Sequence, residues 1–371
     1  MIKHVEIKGF QSCVDTSCDL APLTVLLGRN GAGKTTLLTG IQRIASFATT
    51  VGFRPFDATM EFSLDDIKYQ YQLNSWYAPA HDRTATRERN EALSIIDGPN
   101  LLQRDLATTW IGGSSSKRER IGAISPSTPA LYAAASLLPN NETVRVHVQR
   151  VLRFMEAIHY YPVDEPHVQS AFAIITDQVY QSWLGGDQAA FPSDPVLLAL
   201  IHMSQQRKEQ FDELVSLAGP QGLGIVDDIH VERLATGESV QYIPYFMIAA
   251  KLMPFNALSF GTRRLVKLLT HLVYDESSVM LLEHPENGIH GALLDKLMGI
   301  LDSFSDRSQF IISSHSCDVL DHVSPNDVRL VFRGDEGTKV RALSNKELSA
   351  ARNYINREGA LSDFLQMVED D

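Results

Sequence analysis

The chain has 371 residues, 44% hydrophobic and 21% charged, with a formal net charge of -12. That is enough apolar material for one large domain, or a core domain with an insert, and it excludes wholesale disorder. A balance this acidic argues against a protein that lives by gripping phosphate backbones.

No run of about 18 uncharged apolar residues occurs, so no membrane partner is expected. The opening MIKHVEIKGF lacks the apolar centre of a signal peptide. Cys13, Cys18 and Cys317 form no closely spaced metal-binding pair and read as reduced thiols in a cytoplasmic protein. Two basic stretches, Arg83–Arg89 and Lys117–Arg120, keep DNA open as a partner, although solvated loops explain them as well.

In chain order, residues 2–28 read as short strands ending in the apolar run Leu23–Leu27. A glycine-rich turn follows, and Leu37, Leu38, Ile41, Ile44, Ala45 and Ala48 then fall at helical spacing. Residues 59–74 read as a hairpin, and 75–165 as loop-rich with scattered strands. Ala171–Trp183 and Pro195–Ala218 read as helices, without the heptads of a coiled-coil arm. From 258 a helix–strand rhythm resumes: helix 265–273, strand 279–282, helix 293–304, strand 309–312. That alternation predicts an α/β fold with a largely parallel central sheet. A last helix is expected from Ser344 or Asn345 to about Met367, broken at Gly359. The expected domains are 1–165, a helical insert at 166–250, and 251–371.

Gly28-Arg29-Asn30-Gly31-Ala32-Gly33-Lys34-Thr35 fits G-x-x-x-x-G-K-[ST] between a strand and a helix. Residues Arg29 to Thr36 are therefore expected to cradle the phosphates of ATP on backbone N–H groups and a helix N-terminus. Lys34 would reach the β- and γ-phosphates, and the Thr35 hydroxyl would ligate Mg2+. Ser259 and Gly261 precede an apolar-faced helix, where they can offer a hydroxyl and bare amides to an anion; a plain N-cap is the simpler reading. The buried strand 279–282 ends in Glu283, a carboxylate at the sheet edge where α/β folds bind ligands, and so the Mg2+-side acid. The strand 309–312 leads to Ser313-Ser314-His315-Ser316, where His315 could hydrogen-bond a γ-phosphate or an attacking water.

GRNGAGKT, LSFGT, LLEHPENGIH and IISSHS, in that order, resemble the ABC-type ATPases of the RecF/overcoming-lysogenisation-defect branch, which relate to the SMC heads. The likeness covers residues 1–50 and 256–333. It implies a P-loop NTPase head with a mixed central sheet, an insert, and a composite site. In that family the Ser259–Gly261 turn of one head closes on the ATP held by another, giving a homodimer or higher homo-oligomer.

The family commonly has two acids in succession where this chain has Glu283-His284. Either His284 serves as the base, or hydrolysis is slow and the protein works as an ATP-held clamp; the second reading is favoured. Members with a fused TOPRIM-type nuclease run well past the last head strand, so a separate effector protein is expected. The resemblance thus implies an ATPase subunit of anti-phage defence, with a DNA-repair or DNA-tethering clamp as the alternative.

Overall fold

The computed structural model describes residues 1–50, 56–76, 88–105, 108–111, 119–121, 128–137, 142–162, 174–185, 195–237, 239–275, 279–357 and 359–370. The chain divides into two compact units, one made of Met1–Pro162, Ser277–Pro285 and Leu301–Asp371, the other of Val163–Glu276 and Glu286–Ile300.

The first unit holds two sheets. One is antiparallel and runs β2 (Cys13–Asp19), β1 (Ile2–Phe10), β4 (Asp57–Leu64), β5 (Ile67–Trp76), β6 (Glu88–Ile95), β7 (Asn100–Asp105), β8 (Thr108–Ile111), β9 (Glu119–Ile121). The other runs β10 (Ile158–Tyr161), β15 (Val279–Glu283), β16 (Gln309–Ser313), β3 (Leu23–Leu27), β17 (Val328–Gly334), β18 (Gly337–Ala342). Its first five strands are parallel and β18 is antiparallel, so the central sheet is mixed. The strands β3, β15 and β16 are buried at every position, as expected of parallel strands covered on both faces.

Helix α1 (Lys34–Thr49) buries Leu37, Leu38, Ile41 and Ile44 in one core with Val5 and Ile7 of β1 and Leu281 and Ile311 of the central sheet. Gln309 stitches the two sheets: its side chain exchanges hydrogen bonds with the Ile2 amide (2.7 Å) and carbonyl (2.8 Å). Helices α2 (Ala130–Leu137) and α3 (Glu142–Glu156) join the same core. Within 75–165, read as loop-rich with scattered strands, the described residues carry the strands β6 to β10 and, beyond that reading, these two helices. The basic residues of 83–87 and 117–118 lie outside the described residues.

A buried polar clasp anchors α2. Glu91 of β6 accepts from the amides of Ala130 (2.6 Å) and Leu131 (2.9 Å) and from the Tyr71 hydroxyl (2.8 Å). Arg104, its cross-strand partner on β7, donates to Thr128 O at 2.6 Å. Burial pushes the Glu91 carboxyl up, opposed by the two amides, Tyr71 and Arg104. The chain then ends this unit with α9 (Cys317–Leu320), α10 (Asn345–Arg357) and α11 (Leu361–Asp370), the last two parted at Gly359, whose φ is +126°. Ser344 and Glu347 cap α10 reciprocally, the Ser344 amide donating to Glu347 (2.6 Å) and the Glu347 amide to Ser344 Oγ (3.3 Å).

The second unit contains α4 (Asp177–Leu184), α5 (Pro195–Gln206), α6 (Lys208–Ala218) and α7 (Phe260–Tyr274), and α8 (Gly291–Ser303) begins in it. Pro195–Ala218, read as one helix, breaks at Arg207, where φ is -133° and ψ 61°. Alongside the expected helices, this stretch carries a sheet of β11 (Ile175–Thr176), β13 (Ser239–Ile248), β12 (Asp228–Thr236) and β14 (Lys251–Pro254). The Cys13, Cys18 and Cys317 thiols are free; burial pushes Cys18 up to about 12. Among the described residues no helix is long and apolar enough to cross a membrane.

Candidate functional site

Register brings the site together. In the parallel sheet Ser313 pairs with Glu283 on one side and with Leu26 on the other. The phosphate-loop turn after Leu27, the acid Glu283 and the Ser313–Ser316 turn therefore leave the same sheet edge on neighbouring strands, the place where α/β sheets gather ligands.

The loop residues occupy a shape that other residues would not fit. Gly33 has φ +107°, and a Cβ there would lie 2.0 Å from Thr338 Oγ1. Thr338, from β18, donates to Ala32 O (3.0 Å) and shares a hydroxyl–hydroxyl bond with Ser12 Oγ (2.9 Å), so it braces the loop. Gly28 is equally confined, since its added Cβ would meet the Val331 carbonyl at 2.0 Å. Gly31, with φ +78°, has open space where a side chain would be. A trough of about 360 Å3 opens along the loop, walled by Gln11, Asn30, Lys34, Thr35, Thr36 and His284. Thr36 donates to Gln11 Oε1 at 3.4 Å, and Gln11 reaches the trough from the β1–β2 turn with φ +49°. Arg29, exposed, sits with Asn30 on a larger cavity of about 640 Å3 behind the loop, beside Phe332 and Arg333.

Lys34 is buried, and its ammonium donates to the Gly28 carbonyl and to Arg29 O (3.3 Å). The cation is stored inside its own loop. The Thr35 hydroxyl donates to Glu283 Oε1, while Tyr160 on β10 donates to Glu283 Oε2 at 2.7 Å. The Ser313 hydroxyl is fully buried with no hydrogen-bond partner among the described residues. A buried hydroxyl left without a partner is unfavourable by about 1–3 kcal/mol. The Thr35 hydroxyl and the Glu283 carboxylate, in contact, are an oxygen pair suited to a hydrated magnesium ion.

His284 follows the acid with φ +45°, a left-handed conformation uncommon outside glycine. Its amide donates to Ser313 O at 2.9 Å, and its ring meets that of the exposed His315 edge-on, centroids 4.8 Å apart.

Ser259 and Gly261 belong to the second unit. Ser259 is the N-cap of α7: its Oγ accepts from the Thr262 amide (3.1 Å) and shares a bond with Thr262 Oγ1 (2.8 Å). A Cβ on Gly261 would lie 2.5 Å from the Gly288 carbonyl, so close backbone approach alone requires glycine here.

Sequence reasoning named every loop residue together with Glu283, His284 and His315. It named Ser313 without giving it a role, and missed Tyr160, Thr338 and Gln11. Gln11 and Thr338 stand far from any motif in sequence, and the Tyr160 strand lay in a stretch read as loop-rich with scattered strands, none of them placed.

A family described as "AAA domain, putative AbiEii toxin, Type IV TA system" matches residues 198–321, and one described as "AAA domain" matches residues 4–85. An OLD nuclease of Thermus scotoductus is 37% identical over 67 residues, which are 16% of this chain and only 13% of that protein. Among solved structures, an SMC head bound to the C-winged helix domain of ScpA covers 94% of this chain and 99% of its own, at TM-score 0.51 and 12% identity. The SMC head domain from Thermotoga maritima covers 92% and 99%, at TM-score 0.43 and 12% identity. The SMC-head likeness at TM-score 0.51 gives the fold, and together with the two AAA-type matches and the short OLD nuclease segment it supports an ABC-type ATPase of the RecF/SMC/overcoming-lysogenisation-defect branch.

Proposed function

We propose that the chain binds ATP and Mg2+ between two copies of itself, hydrolyses ATP slowly, and uses nucleotide state to control a separate effector protein in anti-phage defence. The observation that carries the reading is the contact of Thr35 with Glu283 at one wall of a trough whose floor is the phosphate loop. Lys34 exchanges its two loop carbonyls for phosphate oxygens, a stronger, charge-assisted pairing. The amides from Asn30 to Thr36 and the N-terminus of α1 hold the remaining phosphate charge. A magnesium ion held by Thr35 and Glu283 would neutralise charge building on the β- and γ-phosphate oxygens.

His284 stands where the family commonly carries a second acid. Its backbone is pinned to Ser313 and its ring faces His315, so both imidazoles lie beside the trough wall that His284 forms. Either ring can orient the attacking water by hydrogen bonding. Neither brings the negative charge of a carboxylate, which supports slow turnover. Closure in trans rests on the Ser259–Gly261 turn of a second copy approaching this trough. The matched OLD nuclease segment and the AbiEii-type domain support a defence role, and the ScpA-bound SMC head supports a protein partner.

The test is the mass of the purified chain with and without ATP and Mg2+, measured for wild type and Ser259→Arg, alongside turnover of His284→Glu. Wild type should double in mass with ATP, Ser259→Arg should stay monomeric, and His284→Glu should hydrolyse ATP at least tenfold faster, within the range general-base catalysis supplies. A mass indifferent to nucleotide sinks the clamp, and an unchanged or lower rate in His284→Glu sinks the account of slow turnover.

A further inference from the structure

The side chain of Glu283 is held by two hydroxyls, one on each oxygen: Thr35 on Oε1 and Tyr160 on Oε2. Thr35 comes from the helix that follows the phosphate loop. Tyr160 comes from β10, the edge strand of the central sheet, 123 residues earlier in the chain than its acceptor. We propose that Tyr160 is a positioning residue for the metal: its hydroxyl fixes the rotation of the Glu283 carboxylate so that Oε1 alone is presented to Mg2+. This inference rests on the ATP–Mg2+ reading of the same site.

The geometry follows from strand register. Tyr160 pairs with Leu281 across the parallel β10–β15 ladder. Leu281 and Glu283 are two residues apart, so they project from the same face of the sheet, about 6.6 Å apart along the strand. A tyrosine beside Leu281 is long enough to cover that step and place its hydroxyl on the acid. Tyr160 also packs against the hydrophobic core of this unit, so its ring has a fixed direction. A terminal carboxylate torsion is broad and roughly two-fold. Without an anchor, Glu283 would present either oxygen, or both at once. Magnesium demands near-ideal octahedral geometry at about 2.0–2.1 Å and tolerates such freedom poorly. With Oε2 engaged by Tyr160, the carboxylate plane is set before the ion arrives. The Tyr160 bond need not break when the ion takes Oε1 and the Thr35 oxygen.

The strands concerned also carry the chain out of this unit. Two residues after Tyr160 the first unit's stretch ends at Pro162, and two residues after Glu283 it ends at Pro285. The Tyr160–Glu283 bond ties both strands near these ends of the first unit.

Tyr160→Phe keeps the ring and removes only the donor. The experiment measures equilibrium binding of an ATP analogue carrying a fluorophore on the ribose, titrated with Mg2+, for wild type, Tyr160→Phe, Glu283→Gln and the double variant; thermal unfolding is recorded for each. Loss of a group that orients a metal ligand typically costs 10–100-fold in metal affinity. Tyr160→Phe should therefore raise the Mg2+ concentration at half-maximal enhancement of binding about tenfold, leave Mg2+-free binding within twofold of wild type, and add nothing in the Glu283→Gln background. An unchanged Mg2+ midpoint overturns the proposal, as does an equal loss of Mg2+-free binding, or a full additional effect in the double variant. Wild type that binds no nucleotide at any Mg2+ concentration defeats the ATPase reading instead, a result separable from any of these.

Discussion

Replacing Glu91 by alanine tests whether the buried clasp, rather than apolar packing alone, holds α2 against the core beside α1. Glu91 is 1% exposed, as is Arg104. The substitution removes the acceptor of two amides in the first turn of α2, at 2.6 and 2.9 Å, and of the Tyr71 hydroxyl at 2.8 Å. It also leaves the Arg104 guanidinium buried without its counter-charge. Loss of a helix cap costs about 1 kcal/mol, and breaking one side of a buried ion pair about 3–5 kcal/mol. These contributions overlap, so a total of about 4 kcal/mol is expected, a large part of the 5–15 kcal/mol that holds a typical domain together. Urea denaturation of wild type, Glu91→Ala, Arg104→Leu and the double variant measures it, read on the first cooperative transition because two units need not unfold together. The double variant should recover about 2 kcal/mol of the summed single losses, since the stranded charge is gone. A loss below about 1 kcal/mol in Glu91→Ala, or strict additivity, refutes the reasoning.

Two further substitutions probe the ends of helices. Gly261→Ala puts a methyl 2.5 Å from the Gly288 carbonyl, so α7 and the 286–289 turn must separate. ATP-dependent association should drop at least tenfold while ATP binding by the isolated chain stays within twofold; nucleotide-dependent mass and fluorescent-ATP titration check the two parts. The Glu347 carboxyl is held down to about 2 by the Arg341 guanidinium first, with Ser344 adding to it. Its folded pKa lies below the ordinary glutamate value of 4.5. Its contribution to α10 is therefore present above about pH 4.5 and fades as pH falls towards 2. Amide exchange across 344–349, corrected for intrinsic rates, should show protection falling over that window in wild type and already reduced by about 1 kcal/mol at pH 6 in Glu347→Gln.

The elements legible in the sequence were those whose physics is local. The strands β3, β15 and β16 are buried on both faces and read as unbroken apolar runs; α1 and α7 carry one apolar stripe each. The stretch 75–165 was opaque for an identifiable reason. The strands β6 and β7 place Glu91 and Arg104 opposite each other in the interior, so polar letters stand where alternation predicts apolar ones. Only the fold reveals their partners, Tyr71 and the Ala130 and Leu131 amides for Glu91 and the Thr128 carbonyl for Arg104. Helix α3 was a plainer miss: Val144, Val148, Val151 and Met155 follow helical spacing and all are buried.

The same distinction governs the candidate site. Its motif residues announce themselves because a phosphate grip needs a particular order of glycine, lysine and hydroxyl within one turn. The residues that hold those groups in place obey no such order. Thr338 is 306 residues from the Ala32 carbonyl it braces, and Tyr160 is 123 from the acid it orients. Each acts through one hydroxyl, which no spacing rule selects from a sequence. Both become inevitable once register is known. A threonine on β18 is the side chain that a left-handed Gly33 leaves room for, and a tyrosine beside Leu281 has the reach to end on Glu283. Machinery that grips the ligand is thus written as a pattern, whereas machinery that stiffens the grip is written in the pairing of strands.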